Sequence, residues 1–294
     1  MIILDGKKAR DSLKANLMDK IANCIDRPKL VIIQCGDKEE SNKYIQQKKK
    51  FGAEIGVEVE HIHFLRSVSE KEVIDSIKKA NSDDKIHGII VQLPLPPNLD
   101  KDEIIESIHP EKDADGLTSA NIKLMWQGNE EAMIPATAQG VAFLLDFYGF
   151  SPEGKNVVII GRSELVGKPI AAVLLSRNAT VTICHSKTQD LVGTCRKADI
   201  LISAAGVPGL VDESYSHANQ VIVDVGINIA RGKKLEEEIF GKHLVGDVNW
   251  ESVRNVAKAV SPVPGGVGPL TVAFLFGNVL KMCEAAARRS SLRA

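Results

Sequence analysis

The chain lacks the marks of several protein classes. Its five cysteines (Cys24, Cys35, Cys184, Cys195, Cys283) are odd in number and show no CxxC spacing. That argues against a disulfide framework or a zinc site and for reduced thiols in a cytoplasmic protein. There is no surplus of one charge. The net charge is −1 over 294 residues, which argues against a nucleic-acid partner or an anionic membrane surface. Basic residues are scattered apart from the run Lys48-Lys49-Lys50. No stretch is expected to reach the roughly 18 or more apolar residues of a membrane span. The opening MIILDGKKARDSLK has no apolar signal core. No fixed-period repeat and no low-complexity segment is present, so solenoids and disordered linkers are not expected.

What is present is a hydrophobic fraction of 44%, enough for sizeable cores, and a length that suits two α/β domains. Asp5 precedes helical periodicity over 5–23. LVIIQCG (30–36) reads as a buried strand and 38–55 as a charged helix ending at Gly56. A strand follows over 57–65, then a helix over 69–81 with Ser69 and Glu72 spaced as a capping box, then a buried strand over 86–94. This β-α-β-α-β order predicts a parallel sheet covered by helices. Three prolines in LPLPPNLD stop the last strand. A short helix is expected over 101–108, turns over 109–116, and a linker helix over 137–148. Strands are expected at 199–203, 220–225 and about 244–247, with a last helix over 271–282. The domains are therefore drawn as 1–136, with 271–294 packing back on it, and 137–270.

The second domain opens on VVIIGRSELVGKPIAAVLLSRNATVTICHSKT (157–188). A buried strand runs into Gly161, where a Cβ would crowd an approaching phosphate. Gly167 lets the following helix pack close to the strand. That helix start offers free N–H groups to an anion. The spacing is not G-x-G-x-x-G, so the motif alone is weak, and an ordinary βαβ crossover remains an alternative. In NAD sites an acidic residue about 20 positions after the first glycine holds the ribose. Here the second strand ends His185-Ser186-Lys187, with no carboxylate. Arg162, Ser186 and Lys187 would instead suit a 2′-phosphate, which points to NADP.

Four further segments carry possible chemistry. Tyr44 and Lys48 stand four apart on a helix, their Cβ atoms about 6 Å apart, so a phenol can sit beside an amine and poise it for proton transfer. The bland reading is a solvated lysine-rich face. Gln92 ends a buried strand, where ligands of open α/β sheets gather; it could equally be satisfied by backbone. Asp113 and Asp115 flank a turn before Gly116, as ligand carboxylates or as self-bonded turn residues. SPVPGGVGP (261–269) is stiff yet bare, suited to close approach of a flat ligand or to a linker.

In order along almost the whole chain, SNKYIQQKK, VQLPLP, DADG, GRSELVGKP, CHSKT, DVGIN, VGDV and SPVPGGVGPLT closely resemble the bifunctional methylenetetrahydrofolate dehydrogenase/cyclohydrolase family. Each motif alone is weak; the ordered set is specific. The resemblance implies two α/β domains flanking a cleft, the second a Rossmann-type parallel-sheet domain that binds NADP. It implies oxidation of 5,10-methylenetetrahydrofolate to the methenyl compound, its hydrolysis to 10-formyltetrahydrofolate, and a homodimer. It carries catalytic roles to Lys48, Tyr44, Gln92 and Asp115, and cofactor contacts to Gly161, Arg162, Ser163, Ser186 and Ile227. Folate contacts fall on Tyr44, Lys48, Val91, Gln92, Leu93, Asp115, Pro264, Gly265, Gly266, Val267 and Gly268. No metal is implied. One departure stands out: where the family reads Pro-Cys-Thr-Pro, this chain has Pro135-Ala136-Thr137-Ala138. A dehydrogenase with little cyclohydrolase activity and a non-catalytic NADP-binding sensor are the competing expectations. Retention of Lys48, Gln92 and Asp115 argues against the sensor.

Overall fold

The computed structural model describes residues 1–231 and 242–293. They form two compact units, one of Asp11–Ala136 with Val272–Ala294, the other of Met1–Arg10 with Thr137–Thr271.

The first unit is built on a three-stranded parallel sheet. Lys29–Cys35 lies at its centre between Glu58–Phe64 and Gly88–Val91. The central strand reads as a continuous apolar run because helices cover both faces. On one face Leu30, Ile32 and Ile90 pack with Phe276 and Val279. On the other, Val31, Ile33, Ile89 and Val91 pack with Val73, Ile77 and Ile104. The helix Glu39–Ile55 ends where Gly56 turns left-handed at φ 88°. The helix Glu70–Ser82 carries the expected capping box between Ser69 and Glu72. The strand expected over 86–94 is confined to Gly88–Val91. A helix at Ser119–Trp126, capped by Thr118, was not expected from the pattern.

The final helix is longer than expected and spans Gly268–Arg293. Over Gly268–Arg289 it is long and apolar enough to cross a membrane, contrary to the expectation that no such stretch exists. Its apolar side chains nevertheless have a protein partner: Ala273, Leu275, Phe276, Val279, Leu280 and Met282 are buried in the sheet's core.

The second unit holds a six-stranded sheet, parallel throughout. Its order is Ile2–Ile3, Ala259–Val260, Val221–Asp224, Ile200–Ser203, Asn156–Ile160, Thr180–Cys184. The chain winds from Asn156–Ile160 outward to Thr180–Cys184, then returns to the other side at Ile200–Ser203. The switch point therefore lies beside the carboxyl ends of Asn156–Ile160 and Ile200–Ser203, where open α/β sheets bind ligands.

Met1–Arg10 corrects the expected boundary. The sequence reading put all of 1–136 in one domain, yet Ile2 and Ile3 pair with Ala259 and Val260 and extend the second sheet. A two-residue strand has too little periodicity to show, and its pairing spans most of the chain. Asn228–Arg231 pairs antiparallel with Lys242–Val245; the second strand lies near the one expected at about 244–247, and the first was not expected. The linker helix starts at Ala136, so Thr137 is already helical, and Ala136 and Ala138 are both buried.

Candidate functional site

In the first unit the helix Glu39–Ile55 presents Lys48 toward the end of the strand Gly88–Val91. Lys48 Nζ donates to Gln92 Oε1 at 2.9 Å. The other end of that amide is committed too: Gln92 Nε2 donates to the Leu93 carbonyl at 3.0 Å, and Gln92 N to Ile33 O at 2.8 Å. The oxygen therefore faces the lysine. Burial holds the Lys48 amine below the usual lysine range, opposed by the nearby charge of Asp115. Asp115 is pushed the opposite way: burial raises its carboxyl, Lys48 lowers it and Asp113 adds to the rise.

The two aspartates of the DADG turn separate in role. Asp113 is fully buried and accepts from Thr118 N and Oγ1, both at 2.8 Å, and from Asn121 Nδ2 at 3.0 Å. It shapes the turn. Asp115 makes no hydrogen bond among the described residues, so its acceptor oxygens remain available to a ligand. Gly116 has φ +67°, and a Cβ there would fall 2.1 Å from the Met133 carbonyl. Only glycine fits.

Tyr44 stands 39% exposed on the same helix, its phenol raised by burial. It makes no hydrogen bond to Lys48 among the described residues, so the lysine is tuned by burial and Asp115 and oriented by Gln92, without the phenol. Val91 is buried at the strand end and Leu93 is partly exposed beside it.

In the second unit Gly161 leaves the strand Asn156–Ile160 at φ +127°. A Cβ on it would sit 2.2 Å from the Ala204 carbonyl, and one on Gly167 would sit 2.2 Å from the Gly161 carbonyl. The turn is packed until only bare backbone remains. The amides of Arg162 and Ser163 have no protein acceptor among the described residues, while Ser163 Oγ accepts weakly from Gly167 N at 3.4 Å. Such a turn at the start of a ten-residue helix (Gly167–Ser176) fits an anionic group.

The side chains of Arg162, Ser163 and Ser186 are exposed beside this turn. The chain from 180 to 196 holds one acid, Asp190, and its carboxylate is occupied capping the helix Leu191–Arg196 through Gly193 N. No carboxylate is thus left there to hold a ribose hydroxyl. Ile227 is 49% exposed after the strand Val221–Asp224.

Pro264 to Gly268 follow the strand Ala259–Val260 in this same unit. Gly265 O accepts from Gly6 N at 2.8 Å, and a Cβ on Gly6 would collide with the Gly266 carbonyl. The bare loop is pinned by the chain's own amino-terminal segment. Val267 is buried, while Gly265 has φ +108°. The expected residues thus gather as two groups, Tyr44, Lys48, Gln92 and Asp115 on one unit and those from Gly161 to Gly268 on the other.

Two residues escaped the sequence reading. Asn278 lies 4% exposed inside an otherwise apolar helix and donates to Ala114 O at 2.8 Å and Ile134 O at 3.0 Å. It thereby holds the turn that carries Asp115. A lone amide in an apolar run was the available signal. Asp247 lies in VGDV, a motif noted without a role.

Comparison with known proteins identifies the family. Residues 135–287 match the family model described as tetrahydrofolate dehydrogenase/cyclohydrolase, NAD(P)-binding domain, and residues 4–115 match that of its catalytic domain. The bifunctional protein FolD of Lactobacillus gasseri is 44% identical over 276 residues, covering 93% of this chain and 94% of the relative. The crystal structure of the bifunctional FolD methylenetetrahydrofolate dehydrogenase/cyclohydrolase from Campylobacter jejuni superposes with a TM-score of 0.91 at 38% identity, covering 97% and 99% of the two chains. The Trypanosoma brucei methylenetetrahydrofolate dehydrogenase-cyclohydrolase, solved with NADP cofactor and inhibitor, gives 0.92 at 34% identity over 98% and 99%.

Proposed function

The chain belongs to the tetrahydrofolate dehydrogenase/cyclohydrolase family, and we infer that it oxidises 5,10-methylenetetrahydrofolate with NADP and hydrolyses the methenyl product to 10-formyltetrahydrofolate. The observation that carries this reading is the partly buried Lys48, held by Gln92 and electrostatically coupled to Asp115, with its proton affinity lowered.

The stripped turn at Gly161 and the free amides of Arg162 and Ser163 would hold the cofactor's phosphates. Arg162 and Ser186 would meet the 2′-phosphate, and Ile227 would flank the ring. NADP, when bound, supplies the hydride acceptor. The hydride leaves a carbon already pushed by a folate nitrogen lone pair, so this step asks the chain to position its substrate more than to remove a proton. Pro264 to Gly268 offer backbone for that positioning, and Val91 and Leu93 offer apolar contact.

Hydrolysis needs proton movement. Water adds to the methenyl carbon, the bond from that carbon to N5 breaks, and the carbon stays on N10 as a formyl group. Of the two protons leaving water, one ends on N5 and one in solvent. Lys48 in its neutral form takes the first proton and returns it to N5, a role suited to an amine tuned below its ordinary range. Gln92 aims the lysine by accepting one N–H. Asp115 accepts paired donors from the pterin ring. Tyr44 lines the folate near the lysine.

This reading takes the working form as a cytoplasmic homodimer without a nucleic-acid or membrane partner. The family resemblance supports the first part and the net charge of −1 the last. Alanines at 136 and 138 favour a second reading, a dehydrogenase with reduced hydrolysis. One assay decides among these. Purified protein with methylenetetrahydrofolate and NADP is expected to build methenyl absorbance, and added methenyl compound to decay faster than in buffer. No NADP-dependent absorbance would overturn the proposal. Absorbance without accelerated decay would establish the second reading.

A further inference from the structure

We propose that Asp247 is the positioning residue of the cofactor seat, tying together two loops at the sheet's switch point without touching the ligand. The inference rests on the reading of this seat as an NADP site.

Asp247 is fully buried. Its Oδ2 accepts from Ala205 N at 2.7 Å, Gly206 N at 3.0 Å and Ser203 Oγ at 3.2 Å. Its Oδ1 accepts from Asn228 Nδ2 at 2.8 Å. Among the described residues it has no cationic partner, so four aimed dipoles hold the buried charge. Such an arrangement is costly to leave half-made and fixes the groups that make it.

Those groups belong to the places that matter. Residues 203–206 leave the strand Ile200–Ser203, and the Ala204 carbonyl is the atom that forbids a side chain on Gly161. Asn228 follows Ile227. One carboxylate therefore sets both the wall of the phosphate turn and the segment that offers Ile227. Gly226 is part of the device: a Cβ there would lie 2.2 Å from Asp247 Oδ1. Asp247 is itself fixed from behind, since Asp224 Oδ1 accepts from Asp247 N at 3.1 Å and Asp224 Oδ2 from Val248 N at 2.9 Å.

The test compares Asp247→Ala, Asp247→Asn and Asn228→Ala with the wild type by calorimetric titration of NADP and of adenosine 2′-monophosphate. The latter carries the adenosine and the 2′-phosphate, expected at Arg162 and Ser186, and has no phosphate for the Gly161 turn. Asp247→Ala is expected to raise the NADP Kd at least tenfold while the adenosine 2′-monophosphate Kd moves less than twofold. Asp247→Asn should recover most of the NADP affinity. Its carbonyl can still face Ala205 and Gly206, and Asn228 can turn its amide to accept. Asn228→Ala, which leaves the carboxylate in place, should raise the NADP Kd about threefold and keeps the test alive if Asp247→Ala does not fold. An unchanged NADP Kd in a folded Asp247→Ala or Asn228→Ala protein would overturn the proposal. So would equal loss of both ligands, or an asparagine variant as weak as alanine. A wild type that binds neither ligand would instead overturn the NADP reading.

Discussion

The amine of Lys48 donates to the side-chain oxygen of Gln92 across 2.9 Å, joining the helix Glu39–Ile55 to the chain leaving the strand Gly88–Val91. The two residues lie 44 apart in sequence. Their contact makes an orientation out of what would otherwise be a mobile lysine.

Replacing Lys48 with methionine keeps the stem and removes the proton carrier. Hydrolysis of the methenyl compound should fall by at least about 100-fold, the usual range for one general acid–base group. NADP affinity should be unchanged, because the cofactor residues lie in the other unit. A variant with wild-type hydrolysis would remove Lys48 from the mechanism.

Hydrolysis by the wild type should increase with pH as Lys48 loses its proton, at a pH below that of an ordinary lysine, because burial disfavours the charged amine. Gln92→Glu places a carboxylate against the ammonium and favours its charged form. The rising limb of the pH–rate profile should therefore move to higher pH. A profile that stays in place would show that Lys48 is not the group titrating.

Arg162→Ala tests cofactor choice. The wild type should prefer NADP over NAD by at least about tenfold, equivalent to one charge-assisted contact near 1.4 kcal/mol. The variant should lose most of that preference, seen by titrating each cofactor. Equal wild-type affinity for both would contradict the assignment.

Asn278→Leu removes the donor that the carbonyls of Ala114 and Ile134 share. Stability should fall by about 2 kcal/mol, since the buried Ala114 carbonyl loses its side-chain donor. The folate KM should rise as the Asp115 turn loosens, while the NADP Kd holds. Denaturant melts and steady-state kinetics read the two effects separately.

Asp224 gives a pH-dependent stability. Burial and the neighbouring Asp247 push its carboxyl up to about 6, against the pull of three backbone N–H donors. The native state thus holds a proton between roughly pH 4 and 6 that the unfolded chain has released. Asp224's contribution to stability should fall as pH rises through that window and recover on acidification. Asp224→Asn does not titrate, so the stability gap between it and the wild type should shift toward the wild type as pH drops from 8 to 5. A gap that does not vary with pH would refute the shift.

Much of this protein is determined by its sequence alone, for local reasons. The buried run LVIIQCG, the Ser69–Glu72 cap, the stop at Gly56 and the strand–turn–helix at Gly161 are short-range patterns whose geometry follows from backbone sterics and periodicity. The residue types at Lys48, Gln92 and Asp115 could be named from their motifs. Other features depend on groups far apart in the chain, and only the tertiary structure decided them. The pairing of Ile2–Ile3 with Ala259–Val260 moved the amino terminus to the other unit. Packing against the sheet, not hydropathy, explains the apolar helix Gly268–Arg293. The split between Asp113, spent on Thr118 and Asn121, and Asp115, left open, follows from which carboxylate faces inward. The role of Asp247 has no local signal: VGDV marks the residue, but a buried carboxyl group acquires its meaning from the donors that the fold brings to it.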